Sequence, residues 1–193
     1  MSGATLRLVA CAASPALRHA VFGDDDLDDG GLAAARALAG QPGDRAPLGR
    51  ADAWLAAPTR AAAQTARAAG HEPVLVAELA DCDYGRWSGR RFADVAAAEP
   101  AAVQAWLSDP GSAPHGGETL TALSARVAAW LDGHAGAGGR VVAVVPAAVL
   151  RAALVYALGM PPAAFWQLDV GPLAVARLRH RAGRWTWNLT ADR

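Results

Sequence analysis

The sequence contains no lysine and no isoleucine. Its 18 basic side chains are all arginine, matched by 18 acidic ones, so the formal net charge is zero. Without a basic tail or block, the chain lacks the electrostatic footprint of a nucleic-acid binder or of a protein held on an anionic membrane. Cysteine is scarce too. Cys11 and Cys82 stand far apart, with no CxxC pair and no zinc-ligand spacing. That excludes a disulfide scaffold and fits a reduced, cytoplasmic compartment. Arg151 interrupts the longest apolar run, Val141 to Leu158, so no charge-free stretch is long enough to span a bilayer. Leu8 to Ala13 is too short for the apolar core of a secretion signal. Ala, Arg, Gly and Pro dominate instead, the composition of a GC-rich bacterial genome, which is a statement about codons and not about chemistry.

With 193 residues, 53% of them hydrophobic, the chain can bury a full core. It carries no internal repeat and no linker, and residues 1–193 are read as one domain. Leu6 to Cys11 reads as a first strand, and Phe22 to Gly31 as an acidic loop. Leu32 to Ala39 reads as a helix that Gly40 closes, and Gln41 to Arg50 as a Pro/Gly loop. Ala53 to Ala57 predicts a second strand, and Thr59 caps a helix running to Ala69. Pro73 to Ala77 predicts a third strand, followed by an irregular aromatic loop from Asp81 to Gly89. Phe92 to Ala98 and Ala101 to Leu107 form short helices divided by Pro100. Thr119 to Leu131 is amphipathic, with Leu120, Leu123, Val127 and Leu131 on one face. Val141 to Val145 has the continuous apolar character of a buried central strand, and Val149 to Leu158 forms the helix after it. Leu173 to Leu178 and Trp185 to Leu189 close the chain as an antiparallel pair. The alternation of strands and helices gives an α/β class with a mostly parallel sheet.

In such sheets, ligands bind beyond the carboxyl ends of the strands. That rule selects Ala10 to Ser14, Pro58 to Ala62, Asp81 to Gly89 and Pro146 to Ala148 as four segments that converge on one crevice. They offer Cys11, Ser14, Arg60, Asp81, Asp83 and Tyr84 among alanine, proline and tryptophan.

Six stretches, in order, resemble the histidine phosphatase superfamily. The first strand and Cys11 to Ser14 stand where members run into Arg-His-Gly, and Leu27 to Gly31 resembles the Leu-Thr-x-x-Gly segment. Ala57-Pro58-Thr59-Arg60-Ala61-Ala62-Ala63-Gln64-Thr65-Ala66 resembles Ser-Pro-x-x-Arg-Ala-x-Gln-Thr-Ala. Asp81 to Gly89 resembles the segment that begins with an acid and continues Phe-Gly-x-Trp-x-Gly. Gly116-Gly117-Glu118-Thr119, with Arg126 beyond it, is similar to Gly-Gly-Glu-Ser. Val144 to Arg151 resembles the strand-Ser-His-Gly-Gly-x-x-Arg turn. The resemblance implies a three-layer α/β/α sandwich of the phosphoglycerate-mutase type. It also places Cys11 where the family has its phosphoryl-accepting histidine, Ala10 and Ala61 where it has arginines, and Pro146 where it has the second histidine. Asp81 and Glu118 remain.

Phosphoryl transfer relies on positive charge around three oxygens, and each arginine supplies a permanent bidentate donor. Pro146 has neither a side-chain donor nor an N–H. The resemblance therefore implies a degenerate member, a pseudophosphatase, whose pocket is neutral to negative and suits an apolar or cationic small molecule. Binding of a partner protein stands beside that reading, as do a repurposed enzyme using Asp81 as acid/base and a residual phosphomonoesterase. No cofactor and no metal are implied, and the oligomeric state is open. Candidate site residues are Asp81 and Cys11, with Ser14, Arg60, Tyr84, Trp87, His115 and Glu118 as binding residues. Each has a plainer reading. Cys11 is a small buried filler, Asp81 pairs locally, Glu118 serves its helix N-terminus, His115 is a solvated loop histidine, and Tyr84, Trp87, Trp106 and Trp166 are core or rim aromatics. Asp24, Asp25 and Asp26 read as a solvated turn.

Overall fold

The structure, a computed structural model, describes residues 3–39 and 48–188. The helix end at Gly40, most of the Gln41 to Arg50 loop and the strand end at Leu189 lie outside the described residues. The apolar run after Gly3 forms β1 (Thr5–Ala10), buried along nearly its whole length. A one-turn helix follows, α1 (Pro15–Arg18), which the sequence reading missed because a single turn shows no periodicity. Its start signals are nonetheless present. Ser14 Oγ accepts from Leu17 N–H at 3.2 Å, and Pro15 opens the turn, where no N–H is needed.

The second helix, α2 (Asp29–Ala39), begins three residues before Leu32 because Asp28 caps it, accepting from Gly31 N–H at 2.7 Å. Then come β2 (Ala53–Ala56), α3 (Arg60–Ala68) under a Thr59 cap, and the short β3 (Val74–Leu75). The two predicted short helices are α4 (Phe92–Ala98) and α5 (Pro100–Ser108), with Pro100 in the first turn of α5 and not between the two. The amphipathic helix α6 (Leu120–Ala135) runs a turn beyond Leu131. It buries Leu120, Leu123, Val127 and Leu131 as their spacing predicts. After it come β4 (Arg140–Val145) and α7 (Ala147–Ala157). The closing hairpin is β5 (Val175–Arg181) and β6 (Arg184–Asn188). Its first strand starts two residues later than expected because Leu173 has a left-handed φ of 59°, which no strand residue adopts. Ala182 and Gly183, at φ 49° and 78°, make the two-residue turn whose twist matches a hairpin.

The six strands lie in the order β3-β2-β4-β1-β5-β6. The first four are parallel, β5 runs antiparallel to β1, and β6 runs antiparallel to β5 and so in the direction of the first four. The chain is thus an α/β fold with a mixed, mostly parallel sheet. α2 packs with α3 and α6 with α7 as the flanking helix pairs. Because β4 inserts between β1 and β2, three carboxyl ends stand side by side. A second aromatic core of Phe22, Trp87, Val95, Val103 and Trp106 lies apart from the main one. It is bounded by a short antiparallel clasp. Phe22 N–H donates to Arg90 O at 3.0 Å, Gly89 N–H to Phe22 O at 2.8 Å, and Phe92 N–H to Ala20 O at 2.7 Å. Among the described residues, no helix is long and apolar enough to cross a membrane.

Candidate functional site

The register of the two central strands sets the centre of the site. Ala10 pairs with Val145, and Cys11 N–H donates to Val145 O at 3.0 Å, so Cys11 and Pro146 leave the sheet together. Two contacts fix the turn that carries Cys11. Ala12 N–H donates to Thr65 Oγ1 of α3 at 3.0 Å. Gly31 of α2 lies flat on Ala13, where any Cβ would collide with the Ala13 carbonyl.

A cavity of about 310 Å³ opens beyond these strand ends. All four segments selected by the strand-end rule reach it: Cys11 and Ser14, Thr59 and Ala61, Asp81 and Tyr84, Pro146 and Ala147. Two further stretches, not expected from the sequence, add to the wall. One runs from Leu17 to Asp25 and the other from Phe165 to Pro172.

Asp81 faces the cavity while its neighbours close around it. Its Oδ1 accepts from Cys82 N–H at 2.8 Å, and among the described residues it makes no ion pair. Burial pushes its carboxyl up to about 7, and the charges of Asp24 and Glu118 add to this; the Cys82 N–H and Arg126 pull the other way. Burial likewise pushes the Cys11 thiol far up, with Asp81 and Asp24 adding, so the thiol keeps its proton. Tyr84 is raised for the same two reasons, burial first and Asp81 second. Cys82 points away from the cavity, its Sγ 3.6 Å from Glu118 O, as befits a packed residue.

Four predicted binding residues do not line the cavity. Arg60, 58% exposed, turns outward onto the acidic loop, with nitrogen–oxygen distances of 3.6 Å to Asp24, 3.8 Å to Asp25 and 3.3 Å to Asp26. Trp87 is fully buried in the second core, its Nε1–H on Glu99 at 3.3 Å. His115 is buried beside Tyr84, Trp87 and Trp106 and is not the solvated loop residue of the plainer reading. Its Nδ1 accepts from Gly117 N–H at 3.1 Å, and burial lowers its pKa. Glu118 is held by two bonds from Arg126, both 2.8 Å. The same guanidinium reaches Glu78 O at 2.8 Å and Asp81 O at 3.0 Å, which ties the Asp81 segment to α6. Gly85, at φ 47° and wedged against the 115–117 backbone, allows the turn that aims Tyr84 inward.

Asp24 is the residue that sequence reasoning missed. Although the residue is exposed, its carboxylate crosses to α3 and accepts from Arg60 N–H at 2.6 Å and Ala61 N–H at 3.1 Å. An internal carboxylate thereby occupies the helix N-terminus that opens on the cavity. Asp26 is bound to Gln64 Nε2 at 2.7 Å, which explains the rest of the acidic run. The aromatic wall was only half seen. Phe22 touches Tyr84 at 5.0 Å and Trp106 at 5.7 Å between ring centroids, Trp106 meets Trp166 at 4.6 Å, and Phe165 meets Trp166 at 5.0 Å. Arg151 is the cation among the lining residues. Its Nε donates to Leu168 O at 2.8 Å, and its guanidinium lies 5.9 Å from the Phe165 ring centroid. Among the described residues, no group of three or more His, Cys, Asp or Glu could hold a metal ion.

This sheet, with a pocket at the carboxyl ends of its parallel strands, defines an α/β protein of the phosphoglycerate-mutase-like fold. A profile of the histidine phosphatase superfamily (branch 1) matches residues 18–193, and the chain belongs to that superfamily. The match begins after β1 and the turn that carries Cys11. Among solved structures, the chain is similar to a mutant phosphoserine phosphatase of Entamoeba histolytica in complex with phosphoserine (TM-score 0.83, 20% identity, 96% of this chain and 95% of that one). It is also similar to a mycobacterial glucosyl-3-phosphoglycerate phosphatase (0.78, 23%, 96% and 97%) and to the alpha-ribazole phosphatase of Shigella flexneri (0.80, 21%, 96% and 95%). At these identities the likeness is one of fold. No curated protein matches the sequence.

Proposed function

We propose that this chain is a degenerate histidine phosphatase that does not hydrolyse phosphomonoesters through a phosphohistidine, and that its pocket binds an apolar or cationic small molecule. The observation that carries the reading is the turn after β1. A protonated Cys11 stands where the family has its phosphoryl-accepting histidine, beside Pro146 where it has the second. Asp24 adds support, because its carboxylate occupies the first-turn N–H groups of α3 that would otherwise meet an anion. Ala10 and Ala61, at the positions of the family's arginines, bring no charge to the lining. In an assay with 4-nitrophenyl phosphate, we expect no release above the uncatalysed blank. Turnover that disappears in Asp81→Asn would instead make the chain a phosphomonoesterase and overturn the reading.

One observation favours a second reading. A cavity-facing carboxyl near 7 exchanges its proton at neutral pH, as a general acid or base must. If Asp81 works in this way on a non-phosphate substrate, product forms without phosphate release and ceases in Asp81→Asn.

A further inference from the structure

We propose that the cavity takes an organic ammonium ion with a flat or apolar body, its charge seated at Asp81 and its body against Phe22, Trp106 and Trp166. This deepens, and rests on, the reading that the pocket has turned away from phosphate. Three features of the lining converge on it. First, among the described residues Asp81 is the cavity-lining carboxylate that has no ion pair. Asp24 and Asp25 face Arg60, and Glu118 is taken by Arg126, which touches Asp81 only through its backbone oxygen. An ammonium group at Asp81 supplies the missing partner, in surroundings where solvent screens it little.

Second, the wall facing this carboxylate is aromatic and continuous. Phe22 and Tyr84 lie 5.0 Å apart, Phe22 and Trp106 5.7 Å, and Trp106 and Trp166 4.6 Å. Ring faces attract a cation and cover an apolar body with equal ease, whereas an anion gains nothing from them. Third, the cation already present is engaged elsewhere. Arg151 donates to Leu168 O, and its guanidinium lies 5.9 Å from the Phe165 ring centroid. A volume of about 310 Å³ is at the lower end for small-molecule sites, which points to a compact amine and not to a peptide or nucleotide.

The site has a built-in dependence on pH. The groups that face Asp81 are Cys11 just after β1, Asp24 from the acidic loop, Cys82 and Tyr84 from its own segment, Glu118 from the turn before α6 and Arg126 from α6. Cys11, Cys82 and Tyr84 keep their protons at neutral pH, because burial raises all three. Asp81 therefore sets the change in charge, and the preference for a cation grows as pH rises through about 7.

Calorimetric titration with benzylamine, benzyl alcohol and benzyl phosphate tests this, since the three share one body and differ in charge. At about pH 8, benzylamine should bind about tenfold tighter than the alcohol, and the phosphate more weakly than either. The amine's advantage should shrink at about pH 5, where Asp81 is protonated and benzylamine still charged. It should vanish in Asp81→Asn, whose unchanged affinity for benzyl alcohol reports an intact pocket. Asp24→Asn, which alters a carboxylate already paired, should keep most of the preference. Equal binding of alcohol and amine, an advantage that survives Asp81→Asn, or no saturable binding of the amine overturns this inference while leaving the loss of phosphatase chemistry standing. Tightest binding or hydrolysis of benzyl phosphate overturns both.

Discussion

Asp24 and Asp81 reach the same cavity, yet the protein treats them in opposite ways. Asp24 is surrounded by donors: two backbone N–H groups at the start of α3 and the guanidinium of Arg60. Asp81 receives a single N–H from its own neighbour and no ion pair among the described residues. The first carboxylate is structural, because its charge is used up in closing a loop onto a helix. The second is held ready, at a free-energy cost that its raised pKa records. Within one pocket, proximity to the cavity says less about function than the number of partners a group already has.

Three variants break or sharpen this contrast. Arg126→Ala should have the largest effect, because it strands Glu118 and releases the Glu78 and Asp81 carbonyls together. We expect a loss of about 2–3 kcal/mol in urea unfolding. Asp81→Asn should act in the other direction and only above a certain pH. The folded protein holds the Asp81 proton up to about 7, whereas the unfolded chain releases it near the ordinary carboxylate value. Stability linked to this group is therefore full below about pH 4 and is lost as pH rises to about 7. Asn escapes that loss, so the variant should match the parent near pH 4 and exceed it near pH 8, which thermal unfolding across pH would display. Asp24→Ala should have the smallest effect, a loss of about 1 kcal/mol from the missing cap. A larger gain from Asp24→Ala than from Asp81→Asn at pH 8 would reverse the roles assigned to the two.

The α/β order, the buried central strand β4 and the four converging segments were legible in the sequence, because each rests on local periodicity or on strand ends. The aromatic wall was not. Phe22 and Phe165 lie in a loop and a 3₁₀ turn, where side-chain direction is set by tertiary docking and no period exists to read. Asp24 was hidden for a different reason. A run of three aspartates looks solvated, and the helix N-terminus that claims the first lies 36 residues away. Trp87 and His115 failed in the opposite sense. Motif position drew them toward the pocket, but they point into the second core behind it. Asp81 was found by motif, whereas its lack of a partner became visible only in three dimensions.

The clasp between residues 20–22 and 89–92 joins the loop that carries Phe22 to the loop that leads into Phe92 at the start of α4, both side chains on the cavity wall. Its backbone hydrogen bonds form when the chain folds, so the conformational entropy of those loops is surrendered before any ligand arrives. A compact guest then meets a wall already in place and gives up little beyond its own translation and rotation. Its binding heat capacity should accordingly report the apolar area it covers and no folding of the host.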